Sequence, residues 1–255
     1  MFRSGLIISL LIALMMPPFL QKADGQDTAV PAYERQPWVH DTVVQQVSPS
    51  AGRESAWGMG ADLVSSYIWR GSRQGSGPHI QPWLEFSAGC FSAGAWGTVD
   101  LNGYEEADLW FAFELPGGFM LGIQDYYLPE LPYFDISSTG GSHAFELNID
   151  WSSDNIWLSA NCILNEAGGI GAYGRDLYFE AGFSFEHVSI FMGAGNGWHT
   201  EEGGFGLCNL GLETAREIRI TERLVLPVKA QLVFNPDSEQ LFVLAGITFS
   251  SVTGD

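Results

Sequence analysis

From Trp57 onward, nearly every segment of this chain alternates apolar and polar side chains one by one, and this constrains its fold more than any other feature. In "DLYFEAGFSFE", Leu177, Phe179, Ala181, Phe183 and Phe185 alternate with Asp176, Tyr178, Glu180, Ser184 and Glu186. "AFELNIDW" sets Phe145, Leu147, Ile149 and Trp151 against Glu146, Asn148 and Asp150. "ADLWFAFEL" and "LPVKAQLVF" repeat the pattern, with Asp108, Glu114, Lys229 and Gln231 on the polar side. Successive side chains of a strand point to opposite faces, so each segment predicts one apolar and one polar face.

Turn signals cut the chain into about twelve strands, at 57–71, 78–88, 91–102, 106–116, 119–129, 142–152, 156–166, 175–185, 188–199, 207–220, 224–235 and 240–250. Most run about 10 to 12 residues, twice the globular average of about 5 to 6 and close to the roughly 9 to 11 of a tilted membrane strand. Every second connection is minimal: "GC" near 89–90, "GG" at 117–118, "SDN" at 153–155, "EH" at 186–187 and "TER" at 221–223. The others are mostly longer: "SRQGSG", "ELPYFDISSTGG", "GGIGAYG" and "TEEGGFG". Short turns at one end and long loops at the other match an outer-membrane barrel, whereas a soluble sandwich has crossovers that break such regularity. The parity also puts both ends of the strand array on the short-turn side.

Composition agrees. Charged residues make up 16% of the chain, below the roughly 25% of an average globular domain, and 13% are aromatic. Within the first 25 residues, Arg3, the apolar run "GLIISLLIALMMPPFL" and the small residues Ala23 and Gly25 read as an export signal, too short for a spanning helix. Residues 26–56 show no sustained period and read as a flexible N-terminal segment. The barrel is expected over 57–251 and a short tail over 252–255. Phe249 closes the last apolar row, yet "SSVTGD" follows it, whereas such barrels usually end at the aromatic. Without the signal the formal net charge moves from −19 to −20, because Arg3, Lys22 and Asp24 leave with it. Nucleic acid is thereby excluded as a partner. Cys90, Cys162 and Cys208 are odd in number and widely spaced, which suits small fillers better than disulfides or a metal site.

If the apolar rows meet lipid, the polar rows line a lumen. That assigns to the interior Asp62, Arg70, Gln81, Glu85, Asp100, Asp108, Glu114, Glu146, Asp150, Asp176, Glu180, Glu186, Glu213 and Lys229. Glu217 and Arg219 share the parity. An acidic ring in a pore attracts cations; the competing reading is a solvated or salt-bridged interior, since barrels of this size occur open or filled. Arg70 could hold an anionic ligand or pair with Asp62, Glu85 or Asp100. Trp57, Trp69, Trp151, Trp157 and Trp198 lie near strand ends, where an aromatic girdle sits, while Trp83 and Trp96 point inward.

The stretch "SSYIWRGSRQGSGPHIQPWLEFSAGCFSAGAWGTVDLNGYEEADLWFAFE" resembles the start of the TorF or Gcw_chp family, exported proteobacterial proteins thought to be porin-like outer-membrane barrels. The resemblance spans about residues 57–128. It rests on Ser65, Tyr67, Trp69, Arg70, Gly71, Gln74, Pro78 and Gln81, then Phe91, Ala93, Gly94, Trp96, Gly97, Glu106 and Asp108. Ser66 stands where the family has an aspartate. The resemblance implies fold and location more than activity.

Catalysis is not expected. His143 has Ser142 beside it and Asn161 in the next strand, but no nucleophile motif surrounds them. "HTEE" at 199–202 lacks a second histidine for a metal, and no cofactor is implied. The sequence therefore predicts an all-β, single transmembrane up-and-down antiparallel barrel of about 12 strands. It would lie in the outer membrane, with the lipid bilayer and the barrel-assembly machinery as partners. Its expected function is passive diffusion of small solutes, leaning to cations. The alternatives are a non-conducting structural or adhesive barrel, or a soluble exported β-sandwich that binds a ligand. The oligomeric state is left open.

Overall fold

A computed structural model describes residues 55–220 and 225–254. The expected signal, almost all of the expected N-terminal segment and the turn at 221–223 lie outside the described residues. The chain forms β1 (Ser55–Val64), then a small hairpin of β2 (Tyr67–Trp69) and β3 (Ser72–Gln74). There follow β4 (His79–Ala88), β5 (Phe91–Asp100), β6 (Glu105–Leu115), β7 (Phe119–Tyr127), β8 (His143–Ser152) and β9 (Ile156–Ile163). The rest are β10 (Leu177–Phe185), β11 (Val188–Gly195), β12 (Gly206–Arg219), β13 (Val225–Asn235) and β14 (Gln240–Gly254). A single turn of 3-10 helix, Gly197–His199, sits between β11 and β12.

All strands except β2 and β3 join one closed antiparallel barrel in which each pairs with its neighbour in sequence and β1 closes on β14. The closing register sets Ala56 against Gly254 and Val64 against Gly246. Closure leaves no unpaired edge, so every strand satisfies its backbone laterally, which an apolar surrounding requires. The barrel starts at Ser55 rather than 57, and β14 continues to Gly254, so residues 252–254 are wall rather than tail. Both differences come from this pairing, which extends each strand past its last apolar residue.

The alternation sorts the two faces. Outward rows carry Leu63, Ile80, Leu84, Leu109, Phe111, Phe113, Ile149, Leu158, Phe179, Phe183, Ile190, Met192, Leu232, Val243 and Phe249, all exposed. This apolar surface runs around the barrel. Monomeric soluble proteins rarely expose contiguous patches above a few hundred Å². Such an exterior belongs in hydrocarbon, and the bilayer is its partner.

One expected strand is two structures. The segment 57–71 leaves the wall after Val64, where Ser65 exchanges hydrogen bonds with Ala245 (its N–H to the Ala245 carbonyl, 2.8 Å; its Oγ accepting from the Ala245 N–H, 3.0 Å). Tyr67–Gln74 then folds into the barrel mouth as the β2–β3 hairpin. The loops 128–142 and 164–176 pack over it: Gly168 N–H donates to the Ser138 carbonyl and Gly169 N–H to that of Gly141. Trp69, Tyr126, Ala144, Ile163, Ala167, Ile170 and Ala172 form one buried apolar cluster there.

Candidate functional site

The hairpin turn carries the site. Trp69 pairs with Ser72, so Arg70 and Gly71 form a two-residue connection, and both have left-handed backbones (φ 47° and 81°). This is the geometry of the tight hairpin turn that matches strand twist. Gly71 is forced, since a Cβ there would lie 1.9 Å from the Cys208 carbonyl oxygen. Arginine in this conformation costs about 1 kcal/mol, so something on the wall must hold it.

That something is Glu146 on β8. The Arg70 guanidinium donates two hydrogen bonds to its carboxylate, at 2.6 and 2.9 Å. Arg70 is 2% exposed and Glu146 0%. Tyr126 Oη and Asn148 Nδ2 donate to the same carboxylate at 2.9 and 2.8 Å. The guanidinium also lies over the rings of Trp69 (4.9 Å) and Tyr178 (4.4 Å). His199 Nε2 is 3.4 Å from Arg70 Nη1, and burial, with the guanidinium beside it, holds the imidazole well below its ordinary pKa. Asn235 Nδ2 donates to the Gly71 carbonyl at 3.2 Å. The tip of the hairpin is thus held by β8, β10 and β13 at once and lies close against β12. Arg70 was expected to pair with Asp62, Glu85 or Asp100; its partner is Glu146, because the hairpin carries it away from β1 and across the lumen.

The remaining inward residues extend this network. Glu180 accepts from Tyr178 Oη (2.7 Å) and Asn209 Nδ2 (3.1 Å). Gln124 Nε2 donates to Asp108 at 2.9 Å, Gln231 donates to Glu213, and Thr248 donates to Asp62 at 2.6 Å with Lys229 3.7 Å away. Asp176, on the loop before β10, accepts the Tyr173 N–H, and burial pushes its carboxyl pKa up. Gln81, Glu85 and Asp150 are also buried. Asp100 instead ties the loop after β5 to the one before β4, accepting the N–H groups of Asn102 and Tyr104 in the first and of Ser76 in the second. Glu114 and Glu186 are exposed at the short-turn rim, where their strands end, and Glu217 and Arg219 are exposed too.

Toward the short-turn end, inward rings lie on inward glycines of the adjacent strand. Trp83 sits opposite Gly60, Trp110 opposite Gly94, Trp157 opposite Gly182 and Phe191 opposite Gly211. A Cβ on Gly182 would fall 1.8 Å from the Trp157 ring. Trp69 and Trp157, assigned to an interfacial girdle by their positions, are buried inside, whereas Trp57 is exposed on the outer face. Strand-end position in sequence does not distinguish them; the alternation of β9, which puts Trp157 on the face of Asn161 and Ile163, is the signal that would have placed it inside.

Ser142, His143 and Asn161 do not converge. Ser142 Oγ donates to the Pro132 and Asp135 carbonyls. His143 faces the outer wall, with Nδ1 3.0 Å from Asp125 and Nε2 2.6 Å from the Tyr133 carbonyl oxygen, while Asn161 faces inward to Asn148. All three cysteines are free.

No family model and no curated relative matches this chain. Among solved structures it is similar to a mutant of the Rh. blastica porin (9% identity over 68% of this chain, TM-score 0.38) and spans 55% of that porin's length. It is also similar to outer membrane phospholipase A from Escherichia coli (10% identity, 83% of this chain, 95% of that chain, TM-score 0.33). A third is OccAB3 of Acinetobacter baumannii (8% identity, 78% of this chain, 65% of that chain, TM-score 0.35). Likenesses this distant leave function to the chain's own geometry.

Proposed function

We propose that the protein is an outer-membrane channel for small solutes, with a lean to cations, constricted by the Arg70 hairpin. The observation that carries this reading is the acidic composition of the buried interior. Asp62, Glu85, Glu106, Asp108, Glu146, Asp150, Asp176, Glu180 and Glu213 are buried, nine carboxylates against Arg70 and a part-exposed Lys229. A salt-bridged core would bring cations and anions into balance, because an ion removed from water needs compensation. An acidic excess is the arrangement that draws cations into a pore. The TorF resemblance over residues 57–128 supports the compartment.

The test is single-channel conductance of the folded protein in a planar bilayer under a potassium chloride gradient. Discrete steps with a reversal potential favouring potassium are expected, weakened by Asp108→Asn and Glu180→Gln. Folded, inserted protein without steps would overturn the channel and favour a non-conducting barrel.

A further inference from the structure

Between the hairpin and the loops lies a cavity of about 90 Å³. It is larger than one water needs and far smaller than a drug-sized pocket. Five of its lining residues are aromatic, Tyr67, Trp69, Tyr104, Tyr126 and Trp198, and Glu106 supplies a carboxylate. Trp69, Tyr126 and Trp198 pack on one another with centroids 4.9 to 5.8 Å apart. Tyr67 and Tyr104, 6.4 Å apart, form a second group. Tyr104 Oη donates to Glu106 at 2.8 Å, and Tyr67 hydrogen-bonds the same carboxylate. The Trp69 indole N–H has no acceptor among the described residues.

Ring faces are electron-rich and attract cations, most strongly where water is excluded, and a carboxylate in the same enclosure adds to the attraction. An anion is disfavoured by Glu106. A sugar would bring many hydroxyls to a small cavity whose polar lining is Gln74, Glu106 and the phenols. A neutral hydrocarbon would gain nothing from the carboxylate. We propose that this cavity binds a small organic cation, a methylated ammonium or protonated amine, by ring-face contact and the Glu106 charge. Binding here goes beyond the channel reading and does not depend on conduction.

The experiment is calorimetric titration of the full chain, folded in a non-ionic detergent, with tetramethylammonium chloride. Sodium chloride serves as the ionic-strength control and neopentyl alcohol as the near-isosteric neutral probe. Saturable one-to-one binding of tetramethylammonium is expected, at least about tenfold tighter than the alcohol. Glu106→Gln and Trp198→Leu should each weaken it about five- to tenfold, while Glu202→Gln, on an exposed loop, leaves it unchanged. Trp198→Leu keeps the test decisive should Glu106→Gln misfold, since Trp198 lies in the short 3-10 turn between β11 and β12, outside the wall. Equal binding of the neutral probe, no saturation, or unchanged affinity in the folded Trp198 variant would overturn the proposal.

Discussion

Replacing Glu146 with glutamine is the sharpest single test of the hairpin. Four donors converge on that carboxylate: two guanidinium nitrogens, the Tyr126 hydroxyl and the Asn148 amide. Glutamine keeps the shape but removes the charge and turns one end into a donor. Arg70, 2% exposed, would then lose the carboxylate that accepts both of its guanidinium hydrogen bonds. Breaking one side of a buried pair costs about 3–5 kcal/mol, a large share of the roughly 5–15 kcal/mol that holds a typical domain. The double change Arg70→Met with Glu146→Leu removes both charges and should cost far less, within about 2 kcal/mol of the parent. The assay is urea unfolding of the vesicle-inserted protein, with equal slopes required before midpoints are compared. A Glu146→Gln loss below about 1 kcal/mol, the value of a solvent-exposed pair, would mean that the guanidinium reaches water. The docked hairpin would then be wrong.

Gly71→Ala forces a Cβ into the Cys208 carbonyl at a left-handed backbone, so the hairpin should lift at a cost of about 2 kcal/mol or more, read as raised open-state conductance. His199 is held neutral, its folded pKa well below 6.5, so its contribution is complete above about pH 6.5 and is lost as pH falls. Relative to His199→Gln, the parent should lose about 1.4 kcal/mol per pH unit below that point; parallel stability profiles would refute this. Gly182→Ala should destabilise by about 1–3 kcal/mol through collision with the Trp157 ring, measured by the same urea titration. Cys90 is exposed at a short turn and Cys208 buried, so maleimide should modify the first and spare the second in the folded protein. In intact cells an impermeant maleimide should miss Cys90 but label Glu202→Cys; the reverse would invert the topology.

Alternation made the wall legible. Leu177 through Phe185 showed the exact facing found in β10, and the odd residues of β4, His79, Gln81, Trp83 and Glu85, point inward as their neighbours in sequence required. The hairpin was not legible, because Tyr67 and Trp69 continue the rhythm of β1 and nothing local distinguishes a strand along the wall from one folded into the lumen. The "RG" pair is a weak turn signal, since arginine seldom adopts a left-handed backbone. Its reason lies in Glu146, 76 residues away. The ring-on-glycine pairs and the aromatic cavity likewise depend on register, and Trp198 meets Trp69 only through a loop whose course the sequence does not encode as a period.

The hairpin grows from β1, the strand that must find β14 last, yet its tip is fastened to β8, β10 and β13 and lies close against β12. The fastening residues arrive late along the chain. Until β10, β12 and β13 stand in place beside β8, the arginine turn lacks part of its seat, so the position of the hairpin reports on the completeness of the wall.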